Sequence, residues 1–149
     1  GLLIVLITVA LDQGSKWWIM EILYERQAAP ITILPFFNLV MVWNPGVSFG
    51  MLQTLSYGHI ILSAAALIII SVLFAWMWKS PGRATNLALG LIIGGAMGNI
   101  IDRIRFGAVA DFFGFHLANW HWPAFNIADS AVFIGACILI YLSLLGKEK

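Results

Sequence analysis

Residues 125–146 read FNIADSAVFIGACILIYLSLLG, and this stretch decides the fold. From Ser130 to Gly146 it carries no charge and is long enough to cross most of a bilayer. At its head stand Asn126, a good helix N-cap, and Asp129, three residues on, where a carboxylate meets the positive end of the helix dipole. Taken alone, Asp129 is helix-start chemistry. A second acid changes that reading: Asp111 lies in Val109-Ala110-Asp111-Phe112-Phe113, an apolar stretch with no neighbouring cation and no cap to make. A carboxylate at the centre of a membrane helix costs about 2.5–3.5 kcal/mol on insertion scales, so such acids usually face a partner or a water-filled site. All four aspartates, Asp12, Asp102, Asp111 and Asp129, lie in or beside apolar segments.

Composition agrees with a membrane chain. Hydrophobic residues make up 61% and charged residues 10%, too few charges to cover a soluble globule, where about a quarter of residues are charged. The length of 149 residues predicts one integral membrane domain over the whole chain, holding about four helices of roughly 20 residues each. The eight basic residues are scattered, which excludes a nucleic-acid patch. Cys137 is the one cysteine; a disulfide framework and a Cys-rich metal site are excluded, and its place in the last apolar run predicts a small buried packing residue.

Four spans follow from the apolar runs: Gly1 to about Met20, Tyr57 to Trp78, about Thr85 to Ile101, and Ile127 to Leu145. The chain starts at Gly1 rather than Met, and a secretory signal peptide is a rival for the first stretch, but no small-residue cleavage site follows its apolar core. Lys79, Arg83, Lys147 and Lys149 flank the later spans at one end, which the positive-inside rule assigns to the cytoplasm together with both termini. Asp12, Asp102, Asp111 and Asp129 then gather towards the outer face. The non-helical segments Ala28 to Gln53 and Phe106 to Phe125 lie outside as well. Within the first, Ile31 to Trp43 is β-branched and aromatic and runs into Asn44-Pro45-Gly46, a turn in which Gly46 suits a positive φ, so a short interfacial sheet is expected. Trp17, Trp18, Trp43, Trp120 and Trp122 suit an outer aromatic belt, and Trp76 and Trp78 an inner one.

Among the remaining polar groups, Asp12 and Lys16 are four apart on one helical face and read as an ion pair. Asn99, Asp102 and Arg103 share the end of the third span and read as a supporting network, with Arg103 favoured at a helix C-terminus. Other chemistries are poorly supplied. His116 and His121 are five apart without a nearby Glu, which is weak for zinc hydrolysis. Ser15 and Lys16 are adjacent, so on a helix they point about 100° apart and do not readily form a nucleophile and base. Gly94, Gly95 and Gly98 fall inside the third span, where small residues allow close helix packing. A pair of aspartates remains the best-supplied catalytic device.

Four ordered blocks resemble the signature motifs of bacterial signal peptidase II, the lipoprotein signal peptidase. They are Leu11-Asp12-Gln13-Gly14-Ser15-Lys16, Asn44-Pro45-Gly46-Val47-Ser48-Phe49-Gly50, Gly98-Asn99-Ile100-Ile101-Asp102-Arg103 continuing through Gly107-Ala108-Val109-Ala110-Asp111-Phe112, and Phe125-Asn126-Ile127-Ala128-Asp129. The resemblance covers nearly the whole chain. It implies an intramembrane aspartyl endopeptidase of the bacterial inner membrane. Such an enzyme removes the signal peptide from diacylglyceryl-modified prolipoproteins on the N-terminal side of the lipidated cysteine, without a metal, a cofactor or an obligate protein partner. Asp111 and Asp129 are its implied catalytic pair, and two close carboxylates that cannot easily both ionise suit shared-proton chemistry. Asn44, Gly46, Asn99, Arg103 and Asn126 are then expected to hold the substrate or orient the pair. Asp12, Lys16 and Asp102 are expected to brace the outer helix ends. The sheet around Phe36, Phe37 and Trp43, with the loop Phe112 to Trp122, is expected to cradle the peptide while the acyl chains stay in lipid.

Two other classes compete. A small proton- or ion-translocating protein would use the aspartates as a relay, but needs acids spread through the membrane depth, whereas these cluster towards one face. A purely structural bundle would use the polar groups as glue between helices. It expects Asp111→Asn and Asp129→Asn to change stability alone.

Overall fold

The computed structural model describes residues 1–46, 57–118 and 120–146. Helix α1 (Leu2–Glu25) leads into strands β1 (Ile31–Leu34) and β2 (Phe37–Asn44); α2 (Gly58–Lys79) and α3 (Arg83–Phe106) follow. Strands β3 (Val109–Leu117) and β4 (Trp120–His121) then precede α4 (Ile127–Leu144). Each helix is long and apolar enough to cross a membrane. The fold is therefore the expected four-helix membrane bundle with a small sheet. Val47 to Gly50 of the second block, the segment through Gln53, and Lys147 and Lys149 lie outside the described residues.

Helix α3 is the hub: it packs on α1, α2 and α4, while the backbone of α2 lies close to α3 alone among the described residues. The burial pattern is inverted relative to a soluble domain. Leu6, Ile68, Phe133 and Leu144 are exposed, whereas Asp12, Lys16, Asp102, Asp111 and Asn126 are buried. Between apolar helices in lipid, packing and hydrogen bonds replace the hydrophobic effect as the cohesive force, and small residues let backbones approach. Gly95 and Gly98 show this directly. A Cβ on Gly95 would collide with the Ala128 carbonyl of α4, and one on Gly98 with the Asp12 carboxylate of α1. The tryptophans expected at the two interfaces are all exposed, from Trp17 and Trp122 to Trp76 and Trp78.

The sheet is an antiparallel meander in the order β1-β2-β3-β4. Phe112 anchors it to the end of α1 by packing with Ile19 and Leu23, and Phe37, Phe113, Phe115 and Phe125 cover it with an aromatic cluster. In the β2–β3 register Val42 faces Asp111 and Asn44 faces Val109. Asn44 and Asp111 thus become diagonal neighbours on one face, within side-chain reach.

Four expectations are corrected. Cys137 is exposed on α4 rather than buried, because it lies on a face of the helix that no neighbouring element covers among the described residues. Helix α1 continues five residues beyond Met20 and α3 five beyond Ile101, because the charged turns at their ends still form helix. Arg103 and Arg105 sit in the last turn of α3, where cations suit the dipole, and Gly107, at φ 74°, provides the left-handed stop. The stretch Phe112 to Trp122 is largely strand rather than loop. At the Asn44-Pro45-Gly46 turn, the Gly46 N–H donates to Asn44 Oδ1 at 3.2 Å, so the asparagine side chain closes the turn.

Candidate active site

Asp129 is placed by the start of α4. Asn126, in extended conformation, is the N-cap: its Oδ1 accepts from the Asp129 N–H at 2.9 Å, while Asp129 Oδ2 accepts from the Asn126 N–H at 3.2 Å. This reciprocal capping box is the helix-start chemistry expected of the pair. It uses only one carboxylate oxygen. The other, Oδ1, accepts from Asn99 Nδ2 of α3 at 2.8 Å.

Asp111 is placed by β3 and is 2% exposed. Its Oδ1 accepts from Asn126 Nδ2 at 2.7 Å and its Oδ2 from Asn44 Nδ2 at 3.1 Å. Asn126 therefore touches both carboxylates, that of Asp111 through its buried side-chain nitrogen and that of Asp129 through its backbone N–H. Both acids line a cavity of about 650 Å³ that also takes in Asn44, Gly46, Asn99 and Arg103. A smaller, mainly apolar cavity of about 400 Å³ shares Trp122, Phe125, Asp129 and Phe133 with it and extends along α4 to Ile134.

Electrostatics separate the two acids. Burial pushes the Asp111 carboxyl up to about 7, the nearby Asp129 charge adds to the rise, and the amide bonds from Asn44 and Asn126 oppose it. Near neutral pH, Asp111 is thus poised to hold a proton that an ordinary carboxyl would have lost. Arg103 sits in the cavity wall, where Nη1 donates to the Asn99 carbonyl at 3.4 Å. Its buried Nε has no hydrogen-bond partner among the described residues.

Behind Asn99 lies a second polar cluster. Lys16 Nζ is 2.8 Å from Asp12 Oδ2 and 2.8 Å from Asp102 Oδ2, and all three side chains are at most 1% exposed. Asp12 Oδ1 accepts from the Ala128 N–H at 3.0 Å, and Asp102 Oδ2 from the Ala110 N–H at 3.1 Å. One acid thus fixes the residue before Asp129 and the other the residue before Asp111. Sequence reasoning placed Asp12 with Lys16 but missed these backbone links, for which long-range pairing leaves no local signal. It also passed over Gln13, whose Nε2 donates to Asp12 Oδ2, the Gly98 carbonyl and Asp102 Oδ1. The signal for it was its position beside Asp12 in a membrane helix.

The remaining candidates stay apart from the cavity. His116 and His121 are cross-strand partners with rings 5.6 Å apart, and neither lines it. Ser15 Oγ donates to the Asp12 carbonyl at 2.8 Å. Among the described residues no three His, Cys, Asp or Glu side chains form a metal-binding group. Two carboxyls on one cavity, one of them inclined to keep its proton, can activate a water and donate to a carbonyl oxygen.

Comparisons with known proteins point to one family. The family model described as signal peptidase (SPase) II matches residues 4–145. A protein of Beijerinckia indica named lipoprotein signal peptidase is 40% identical over 149 residues, covering 99% of this chain and 89% of its own length. One of the same name from Polynucleobacter necessarius is 43% identical over 146 residues, covering 94% and 86%. A bacterial membrane enzyme solved by the in meso method at 1.9 Å superposes with a TM-score of 0.80 at 29% identity, covering 95% of this chain and 90% of its own.

Proposed function

The chain belongs to the signal peptidase II family, and on that premise we propose that it is an aspartyl endopeptidase acting on diacylglyceryl-modified prolipoproteins, with Asp111 and Asp129 as the catalytic pair. The observation that carries the aspartyl reading is Asn126, whose side-chain nitrogen donates to the Asp111 carboxylate and whose backbone N–H donates to the Asp129 carboxylate, with both acids lining one cavity. With one proton shared by the pair, burial seats it on Asp111. Asp129 takes a proton from water as the water oxygen attacks the scissile carbonyl carbon, and Asp111 gives its proton to the carbonyl oxygen. In the collapse of that adduct the proton on Asp129 passes to the leaving nitrogen, and a hydroxyl proton returns to Asp111. The pair ends in its starting state.

Asn44, Gly46, Asn99 and Arg103 line the same cavity and supply donors for the peptide backbone. The buried Arg103 Nε, unpartnered among the described residues, is the strongest of these candidates. The apolar cavity along α4 reaches the exposed side chains Phe133 and Ile134, which supports a substrate whose acyl chains remain in lipid. The membrane placement follows the charges. Lys79 and Arg83 stand at the ends of α2 and α3 remote from Asp102, and Gly1 packs beside Met77 at that same end. The N-terminus is then cytoplasmic and the pair lies near the outer face of the bacterial cytoplasmic membrane. The relay alternative gains nothing from the structure, since the four aspartates sit together at one end of the bundle.

The test is cleavage of a diacylglyceryl-modified prolipoprotein by the purified protein in detergent. Asp111→Asn and Asp129→Asn should each remain folded and lose activity by roughly 10³-fold or more. Cleavage that survives in either folded variant would remove that residue from the pair.

A further inference from the structure

Resting on the dyad reading above, we propose that Lys16 is a positioning residue for peptide cleavage: its buried ammonium fixes which way the Asn99 carboxamide faces, and Asn99 in turn holds the Asp129 carboxylate. An ammonium has three donors and no acceptor. Lys16 Nζ donates to Asp12 Oδ2 at 2.8 Å and to Asn99 Oδ1 at 3.2 Å, and it forms an ion pair with Asp102 Oδ2 at 2.8 Å. Asn126 Nδ2 donates to the same oxygen, also at 3.2 Å. On the far side of the amide, Asn99 Nδ2 donates to Asp129 Oδ1 at 2.8 Å. The oxygen of Asn99 is thus flanked by donors and its nitrogen faces a carboxylate. Turned over, the amide would set N–H against N–H on one side and oxygen against oxygen on the other.

An ion cluster at this depth needs a reason beyond holding helices together, because an apolar core of similar volume commonly does that as well or better. The bond from Lys16 to Asn99 is what an apolar core would lack. It reaches Asp129 through a single intervening side chain, while Lys16 itself does not line the cavity. The charged groups surrounding this link are Asp12 and Lys16 from α1, Asp102 and Arg103 from α3, Asp111 from β3 and Asp129 from α4; β2 contributes only the neutral Asn44. Among them Lys16 is the cation that Asn99 touches through its side chain.

Removing the ammonium alone would leave two buried acids without their cation, so the informative variant is Asp12→Asn/Lys16→Met/Asp102→Asn, in which the whole cluster is neutral. Without Lys16 the Asn99 amide is released to turn its oxygen towards Asp129, which disfavours the carboxylate there. The expected result is a fall in kcat of roughly tenfold or more, KM for a diacylglyceryl-modified substrate within about twofold of wild type, and an acidic limb of the kcat profile moved up by about one pH unit. In an Asn99→Ala background the same three substitutions should add no further movement of that limb. A folded, cleaving triple variant with an unmoved acidic limb, or with a change confined to KM, overturns the proposal.

Should the triple variant not fold, the wild-type protein carries the test through the side-chain 15N and NH2 proton resonances of Asn99. These should shift between wild type and Asp129→Asn, because the NH2 group faces that carboxylate. An Asn99 NH2 group facing Lys16 overturns the proposal. Failure of the underlying dyad reading registers separately, as cleavage retained by Asp129→Asn, and the proposal would then fall with it.

Discussion

Two polar clusters meet at Asn99, and they treat buried charge in opposite ways. On one side Lys16 sits buried between Asp12 and Asp102, with every charge in contact with its opposite. On the other, Asp111 and Asp129 face a cavity and are held by the amides of Asn44, Asn99 and Asn126, with no cation bonded to either among the described residues. Both lie at the same end of the bundle and share helix α3. The difference teaches what compensation does at low dielectric: paired charges fix the positions of α1, α3 and α4, whereas carboxyls bound only by neutral donors retain a proton that can be exchanged with substrate.

The sharpest way to break this contrast is Lys16→Met alone. It leaves Asp12 and Asp102 buried without their cation, and losing one partner of a buried ion pair costs about 3–5 kcal/mol. Thermal unfolding in detergent should show a large loss of stability, and a variant as stable as wild type would mean that the cluster is not the brace described. The opposite sign is expected across Asn99. Asp111 titrates near 7 in the fold against an ordinary value of 3.8, so between those values the folded state binds more protons than the unfolded one, and stability falls as pH rises. Asp111→Asn abolishes that slope. Its melting temperature relative to wild type should climb from pH 4 to 7 and level off above, by at most about 1.4 kcal/mol for each pH unit between the two titrations. A difference that stays flat across this range would show that Asp111 carries no such strain.

The contrast between the clusters was only half legible in the sequence. Apolar runs mark the four spans and charges inside them mark the acids, because both signals are local. Asn126 and Asp129, three apart before an apolar run, likewise announce a capping box. What was not legible arises between segments distant in the chain. The Asp102 bond to the Ala110 N–H, the Asp12 bond to the Ala128 N–H and the three contacts of Gln13 depend on how α1, α3 and α4 cross. Helix ends failed for a different reason. Counting apolar residues stops α3 at Ile101, yet the charged turn Asp102 to Arg105 remains helical until Gly107 permits the left-handed exit. Gln27 and Ala28, both at positive φ after α1, carry no residue-type signal for that conformation.

The smallest effect is expected where the two sides of the pair differ by a single amide. Asn44 reaches Asp111 from β2, donating to Oδ2 at 3.1 Å, while its own Oδ1 accepts from the Gly46 N–H. A donor bonded to a carboxylate favours the charged form, so removing it should push Asp111 higher still, beyond its value of about 7. Because the reaction needs the proton on Asp111, Asn44→Ala should carry the alkaline limb of kcat upward by up to about one pH unit. Relative to its rate at pH 6, the variant would then retain more activity at pH 8 than wild type does. The same substitution removes a cavity donor and loosens the turn at Gly46, so kcat/KM at the optimum should fall by roughly tenfold or less. Asn99→Ala, by contrast, acts on Asp129 and should move the acidic limb. If both variants shifted the same limb, the two carboxyls would not be held independently, and the division between a proton-holding Asp111 and a base at Asp129 would collapse into a single symmetric pair.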